Sequence, residues 1–279
     1  MHNPVLPAWS AYSDCALLEI LRQVDHHPPE DFRPLLLGSQ RIGWLAPAHV
    51  HPLCANLAHC QARGAAVIWD ADDLGPDERS DLLAEAANRL RQEGLITGWR
   101  DERYSYWGEI ESAPGPAHTP WFQMERAAFR FLGLRSHAVH INGFRPDGHI
   151  WCGVRALSKA TDPGRIDNLA AGGLPAGEAP LECALRELHE EAGLDAAIAR
   201  HLRPAGRLVT RRREKEGWHD EALLVYNLML PHDVQPRNLD GEVSEFVCLS
   251  PNQAMSRLKE MTEDAAGVLA QGLLALRAC

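Results

Sequence analysis

No two cysteines in this chain stand in CxxC spacing, no stretch reaches eighteen unbroken apolar residues, and basic side chains are in the minority, with 28 Lys and Arg against 38 Asp and Glu. Each shortage excludes a class of protein. Seven cysteines (Cys15, Cys54, Cys60, Cys152, Cys183, Cys248 and Cys279) cannot all pair within one chain, and their scatter reads as reduced thiols, mostly small core residues. None of the 14 histidines falls at zinc-ligand spacing with a cysteine. Without a long apolar run there is no helix to span a bilayer. The opening MHNPVLPAWSAYSDC has no charged segment leading into an apolar one, so a cytoplasmic protein without membrane contact is expected. A formal charge of −10 argues against nucleic-acid binding, which draws most of its affinity from cations on phosphates. Acidity suits a protein that collects divalent cations, and equally one that net charge keeps soluble.

Apolar side chains make up 45% of the chain and charged ones 24%, the balance of a soluble globular protein with ample core material. A length of 279 residues suits two moderate domains, and mixed strand and helix signals put both in the α+β class. In the first, 1–120, amphipathic helices are expected at Asp14 to Val24 and at Asp77 to Glu93, the latter stopped by Gly94. Arg33 to Ala46 reads as strand, Gly-Ser turn, strand, and Ala65 to Trp69 as a short strand. The segment ESAPGPAHTP, Glu111 to Pro120, can continue neither a helix nor a central strand, and is the expected junction. In the second domain, 121–279, a helix is expected from Trp121 to Phe131. Ala138 to Phe144 and His149 to Val154 flank Arg145-Pro-Asp-Gly148 and read as a hairpin. Further strands are expected at Arg203 to Thr210, Ala222 to Leu230 and Glu245 to Leu249, then helices at Pro251 to Glu260 and Asp264 to Leu276. No repeat or low-complexity tract interrupts this order.

The segment from Gly172 to Leu194 carries the chemistry. A glycine-rich turn, a proline at the first turn and a terminal glycine bracket a helix of about three turns. On it Glu187, Glu190 and Glu191 stand at i, i+3 and i+4, so their carboxylates share one face. Like charges so placed destabilise a helix by a few tenths of a kcal/mol per pair, roughly, and a cation should sit among them. Mg²⁺ prefers oxygen ligands and keeps several waters, so it can bridge this face to a phosphate. Arg186 can pair with Glu190 or reach back to Glu178, while Leu181, Ala184, Leu185 and Leu188 are expected to face the core.

These residues match every defined position of the Nudix box, Gly-x5-Glu-x7-Arg-Glu-aliphatic-x-Glu-Glu-x-Gly-aliphatic, at Gly172, Glu178, Arg186, Glu187, Leu188, Glu190, Glu191, Gly193 and Leu194. The chain therefore resembles the Nudix hydrolases. That resemblance implies a mixed sheet between helices and hydrolysis of a nucleoside or other organic diphosphate. It implies Glu187, Glu190 and Glu191 as metal ligands, the Gly172 carbonyl as a further one, and Glu178 and Arg186 as braces of the helix. Mg²⁺ is the implied cation, with Mn²⁺ a substitute. The approach from Lys159 to Gly173 and the later Asp240-Gly-Glu242-Val243 are similar to a Nudix subgroup found beside or fused to thiamin pyrophosphokinase in some fungi, whose members carry an N-terminal domain. Its suggested activity is removal of phosphate from damaged thiamin diphosphate analogues, oxidised forms among them. Where the subgroup has paired arginines this chain has Val154-Arg155, so only Arg155 carries over.

Outside the box, Glu242 and Glu245 are candidates for a further ligand or general base, although Asp-Gly-Glu is also a turn. Arg155 and Lys159 are phosphate-binding candidates because their hairpin leads into the metal loop. The run Arg211-Arg212-Arg213-Glu214-Lys215 reads more readily as a solvated loop than as a phosphate clamp. Trp218 is a candidate to stack a flat ring, while Trp151 and Tyr226 suit the core, and His189 reads as exposed. The expected mechanism has water attacking one phosphorus, its proton going to Glu187, Glu191 or Glu242. The expected partner is a small diphosphate, thiamin diphosphate or an oxidised analogue ahead of a nucleoside derivative such as ADP-ribose, with the N-terminal domain over the non-phosphate end. Rivals are isopentenyl diphosphate isomerisation and a non-catalytic Nudix-type sensor, against which the intact box argues. A homodimer is expected.

Overall fold

The computed structural model of the chain describes residues 6–108 and 118–278, so most of the expected junction, 111–117, lies outside the described residues. The strands are β1 (Arg33–Leu37), β2 (Gln40–Leu45), β3 (Cys60–Arg63), β4 (Ala66–Trp69), β5 (Arg103–Tyr106), β6 (Phe122–Glu125), β7 (Arg135–Phe144), β8 (Ile150–Arg155), β9 (Ile166–Asp167), β10 (Ala170–Gly173), β11 (Arg203–Glu214), β12 (Gly217–Met229) and β13 (Val243–Leu249). The α-helices are α1 (Asp14–Gln23), α2 (Pro47–Asn56), α3 (Pro76–Gln92), α4 (Arg126–Leu132), α5 (Pro180–Ala192), α6 (Ala196–Ala199), α7 (Pro251–Ser256) and α8 (Glu263–Ala278).

The first body is a sheet of order β2-β1-β4-β3, with β1 and β4 parallel. Strand alternation sends Leu35, Leu37, Val67 and Trp69 inward, and they share one core with Leu83, Ala86, Ala87 and Leu90 of α3. Helix α2 gave no sequence signal because its apolar residues do not form a stripe and Pro52 sits inside it. The helix expected from Trp121 to Phe131 is corrected at its start. Phe122 and Met124 alternate into the core and β6 pairs with β5, so the helix begins only at Arg126, capped by Glu125. The strand partner twenty residues upstream was invisible to a local reading. Through Phe122, Met124, Phe129, Phe131 and Leu134 this segment belongs to the first core.

The second body is a mixed sheet of order β11-β12-β7-β8-β13, with β10 added to β7 and β9 to β8. Helix α5 covers one face through Ala184 and Leu188, and α8 covers the other through Val268, Leu269 and Leu273. This is the helix-sheet-helix layering the Nudix resemblance implied. Trp9 and Leu17 also pack on the α8 side, and the Trp9 indole donates to the Gly148 carbonyl at 2.8 Å. Residues from the start of the chain thus close the second core, not the first.

The hairpin at Arg145 to Gly148 is present, with His149 O accepting from Arg145 N at 2.8 Å. Its strands pair only at Gly143 with Trp151 and Phe144 with Ile150. Beyond that point β7 turns to β10 and β12, while β8 turns to β9 and β13. The parting of these strands opens the cleft described below. The expected solvated loop at Arg211 to Lys215 is also corrected, since β11 runs on to Glu214. Among the described residues the cysteines are unpaired, and no helix is long and apolar enough to cross a membrane.

Candidate active site

Helix α5 is built as its sequence requires. Pro180 occupies the first turn, Glu182 reaches back to accept from Ala179 N at 3.1 Å, and Gly193 ends the helix in the left-handed region at φ 64°. One expectation fails: Leu181 and Leu185 are exposed, at 52% and 37%, and the inward face is Cys183, Ala184, Leu188, Glu191 and Ala192. The helix is rolled so that a carboxylate, Glu191, takes a place a leucine would have filled.

Arg186 gathers the box together. Its Nε and Nη2 donate to the two oxygens of Glu178 at 3.0 Å each, and its Nη1 donates to Glu187 at 2.7 Å and Glu190 at 3.0 Å. Both partners expected of Arg186 are therefore engaged at once, and the Arg186 hydrogen bonds hold the Glu178 carboxyl below its ordinary range. Glu191 is buried and accepts from Ala171 N at 2.8 Å. Burial pushes its pKa well above the ordinary carboxylate range. Burial also pushes Glu187 up to about 7, against the opposing pull of Arg186 and with repulsion from Glu190 and Glu242 adding to the rise. The Glu187 carboxylate lies against the backbone of Gly172, where any Cβ would overlap it, and Gly173 is equally closed by the Tyr104 hydroxyl. Bare backbone is needed at both positions for the side chains to come so near.

Glu242 joins this group. Its carboxylate, that of Glu191 and that of Asp240 lie within 4.8 Å of one another. Partial burial raises Glu242, but its ion pair with Lys159, helped by Arg100 and Arg155, brings it below its usual value. Asp240 was quoted in the sequence only as part of a turn, and its role here could have been suspected from that turn's likeness to the subgroup. The donor set is all hard oxygen. Glu191 has no ion pair of its own among the described residues. That chemistry fits a divalent cation of the Mg²⁺ type.

Gly172, Arg186, Glu187, Glu190, Asp240 and Glu242 line a cavity of about 360 Å³ between the two bodies, while the buried Glu191 lies behind Ala171 and does not line it. Arg100, Glu102, Tyr104, Arg126 and Arg130 come from the first body, and Ala138, His140, Arg155, Lys159, Arg212, Glu221 and Asp264 from the second. A larger cavity of about 460 Å³ beside Cys54 and His59 has a single carboxylate in its lining, Glu85, and brings together no comparable set. Arg155 and Lys159 reach the cleft, as expected of phosphate-binding residues. However, Arg155 donates to Asp167 at 2.7 Å and to Thr161 O at 2.9 and 3.1 Å.

Trp218 does not reach the cleft, and its assignment to the substrate is corrected: it is 1% exposed and meets Phe32 edge-on at 5.9 Å. It opens β12, and alternation along the strand turns it into packing between the bodies. Trp151 and Tyr226 pack with the α5 core, and Glu245 and His189 are exposed away from the cavity. Alternation also splits the arginine run. Arg212 turns into the cleft and pairs with Asp264 at 2.8 Å, while Arg211 pairs with Asp25 at 2.6 Å on the other side. Burial would raise Asp264, but Arg212 holds its carboxyl far below the ordinary range.

Comparison with known proteins agrees with this construction. Residues 134–272 match the NUDIX domain family, and residues 16–136 match a Domain of unknown function (DUF4743). Nudix hydrolase 24, chloroplastic, of Arabidopsis thaliana is 36% identical over 61% of this chain and 46% of its own length. Nudix hydrolase 20, chloroplastic, of the same plant is 35% identical over 66% of this chain and 49% of its own length. The chain thus spans about half the length of these curated relatives. A crystal structure of DR0079 from Deinococcus radiodurans covers 64% of this chain and 99% of its own, at 21% identity and a TM-score of 0.47. With an unbroken box on α5, a mixed sheet between helices and the family match over residues 134–272, the chain belongs through its second half to the Nudix family.

Proposed function

We propose that the chain hydrolyses a diphosphate linkage in a small organic molecule, with Mg²⁺, or Mn²⁺ in its place, held by Glu187, Glu190, Glu191 and the Gly172 carbonyl. The observation that carries this reading is a cation-lined cleft that collects Glu187, Glu190, Asp240 and Glu242, with the carboxylates of the last two within 4.8 Å of that of Glu191. A divalent ion there supplies neutralisation of the diphosphate and acidification of water. The protein does the rest. Arg186 fixes the carboxylates in place, and Arg155 and Lys159 line the wall against which a phosphate would lie. Water adds to one phosphorus, the P–O–P bond breaks, and the bridging oxygen leaves with the other phosphate. Of the candidate bases, Glu187 and Glu191 are themselves proposed cation ligands, whereas Glu242 lies in the cleft beside them, paired with Lys159; any of the three left free by the cation can take the proton.

For the substrate, thiamin diphosphate or an oxidised analogue leads, yielding the monophosphate and inorganic phosphate. The likeness at Lys159 to Gly173 and Asp240 to Val243 supports it, as does a distinct domain walling the cleft opposite the box. The test is a Mg²⁺-dependent screen of diphosphates, thiamin diphosphate, its oxidised analogues and ADP-ribose included, scored for released monophosphate. E191Q should lose at least about a hundredfold in kcat with an unchanged circular dichroism spectrum. Full activity in E191Q would remove the assignment of Glu191, and binding without phosphate release by the parent would remove the hydrolase reading and favour a sensor.

A further inference from the structure

The cleft holds seven cationic side chains: Arg100, Arg126, Arg130, Arg155, Lys159, Arg186 and Arg212. Six are already matched. Arg126 pairs with Glu102, Arg130 with Glu214, Arg155 with Asp167, Lys159 with Glu242, Arg186 with Glu178, Glu187 and Glu190, and Arg212 with Asp264 and Glu214. Arg100 is the exception among the described residues: its side chain makes no hydrogen bond or ion pair, and it is exposed to the cleft. Its field nonetheless reaches Glu242 beside the box carboxylates.

Its backbone is held firmly. The buried carboxylate of Glu125 accepts from Arg100 N at 3.1 Å and Glu102 N at 3.2 Å, clasping the loop at Arg100 and again two residues on. Between them Asp101 takes the left-handed conformation at φ 57°, and the Trp99 indole donates to its carboxylate at 2.7 Å. A residue other than glycine in that region costs energy, and the loop is over-determined enough to keep it. The result is a firmly held backbone in the first body that presents, in the lining of the cleft, a guanidinium without a partner among the described residues.

We propose that Arg100 is a substrate-binding and specificity-determining residue that grips the outer phosphate of a terminal diphosphate ester. The proposal rests on the diphosphate reading above and deepens it to a substrate class. A guanidinium forks onto a phosphate through paired N–H donors. A terminal phosphate carries about −1.5 to −2 at neutral pH, whereas an internal phosphate diester carries about one charge, so the gain from an unneutralised arginine is greater for the former. The cavity, about 360 Å³, is at the small end of ligand sites. It suits one ring system with a diphosphate tail better than a diphosphate capped by two large groups.

Two measurements test this on the full chain. In calorimetric titrations with methylenediphosphonate and Mg²⁺, R100A should bind about ten- to hundredfold more weakly than the parent, as loss of a charged hydrogen-bonding group predicts, with R100K between. In steady-state kinetics, R100A should raise KM for thiamin diphosphate by a similar factor with kcat little changed, and should alter kcat/KM for ADP-ribose less than about threefold. Equal affinity of R100A and parent for methylenediphosphonate, absence of binding by the parent, or equal losses on both substrates would overturn the proposal. If the parent releases no phosphate from any diphosphate while R100A loses diphosphonate affinity, the hydrolase reading falls and the role of Arg100 in diphosphate binding stands.

Discussion

Glu187 offers the sharpest quantitative test, because its environment acts in opposite directions on the empty fold and on the cation-bound one. In the absence of a cation, burial moves its carboxyl from the usual 4.5 to about 7. Below pH about 4.5 both folded and unfolded chains keep the proton, and the side chain costs nothing. As pH rises from there to about 7, the unfolded chain releases its proton while the folded one holds it, so stability falls. Above about 7 the full penalty is present, about 3 kcal/mol by the factor of about 1.4 kcal/mol for each tenfold change in acidity. The side chain is 12% exposed, so solvent screening removes little of this. E187Q has no charge to bury. With chelator present, E187Q should therefore match the parent at pH 4 and exceed it by about 3 kcal/mol at pH 8, measured by urea unfolding of the second body. Mg²⁺ should raise the stability of the parent at pH 8 and do much less for E187Q. The reasoning is refuted if the two proteins keep a constant stability difference from pH 4 to pH 8, or if Mg²⁺ stabilises both alike.

G172A should push the Glu187 carboxylate off the backbone it rests on, and Mn²⁺ titration should show cation affinity lower by at least about tenfold; unchanged affinity would mean that Glu187 is not a ligand. D264A would leave the buried Arg212 without its main partner and should cost about 3–5 kcal/mol in thermal unfolding at pH 7. Because the Asp264 carboxyl is held below its usual 3.8, the contribution of this pair should be complete above that pH and fall away only in stronger acid. W218A should destabilise the protein by about 3–5 kcal/mol through a cavity while leaving KM for any diphosphate unchanged. A raised KM in a folded W218A protein would restore Trp218 to the substrate.

The box could be read from sequence because its information is local. Glycine before, proline at the first turn, glycine after and charges at i, i+3 and i+4 all act within one helix, so spacing alone places the carboxylates on one face. The same holds for the hairpin at Arg145 to Gly148 and for α3. Errors arose where a partner distant in sequence decided the outcome. β6 is a strand because β5 lies beside it, and Arg212 faces the cleft because β11 continues through the arginine run to pair with β12. Trp218, polar in its sequence surroundings, is buried because the first body sits against the start of β12.

By itself the sequence determined the local arrangement: carboxylates sharing one face of a short helix, with an arginine within reach of them, follow from the period of the α-helix. Tertiary structure alone decided what faces that arrangement. Asp240 and Glu242 join Glu191 across nearly fifty residues of chain, and Arg100 and Tyr104 enter from another body, through contacts that no local periodicity encodes. Local spacing sets which groups share a helix face, whereas burial and packing between distant segments set which groups share a cleft.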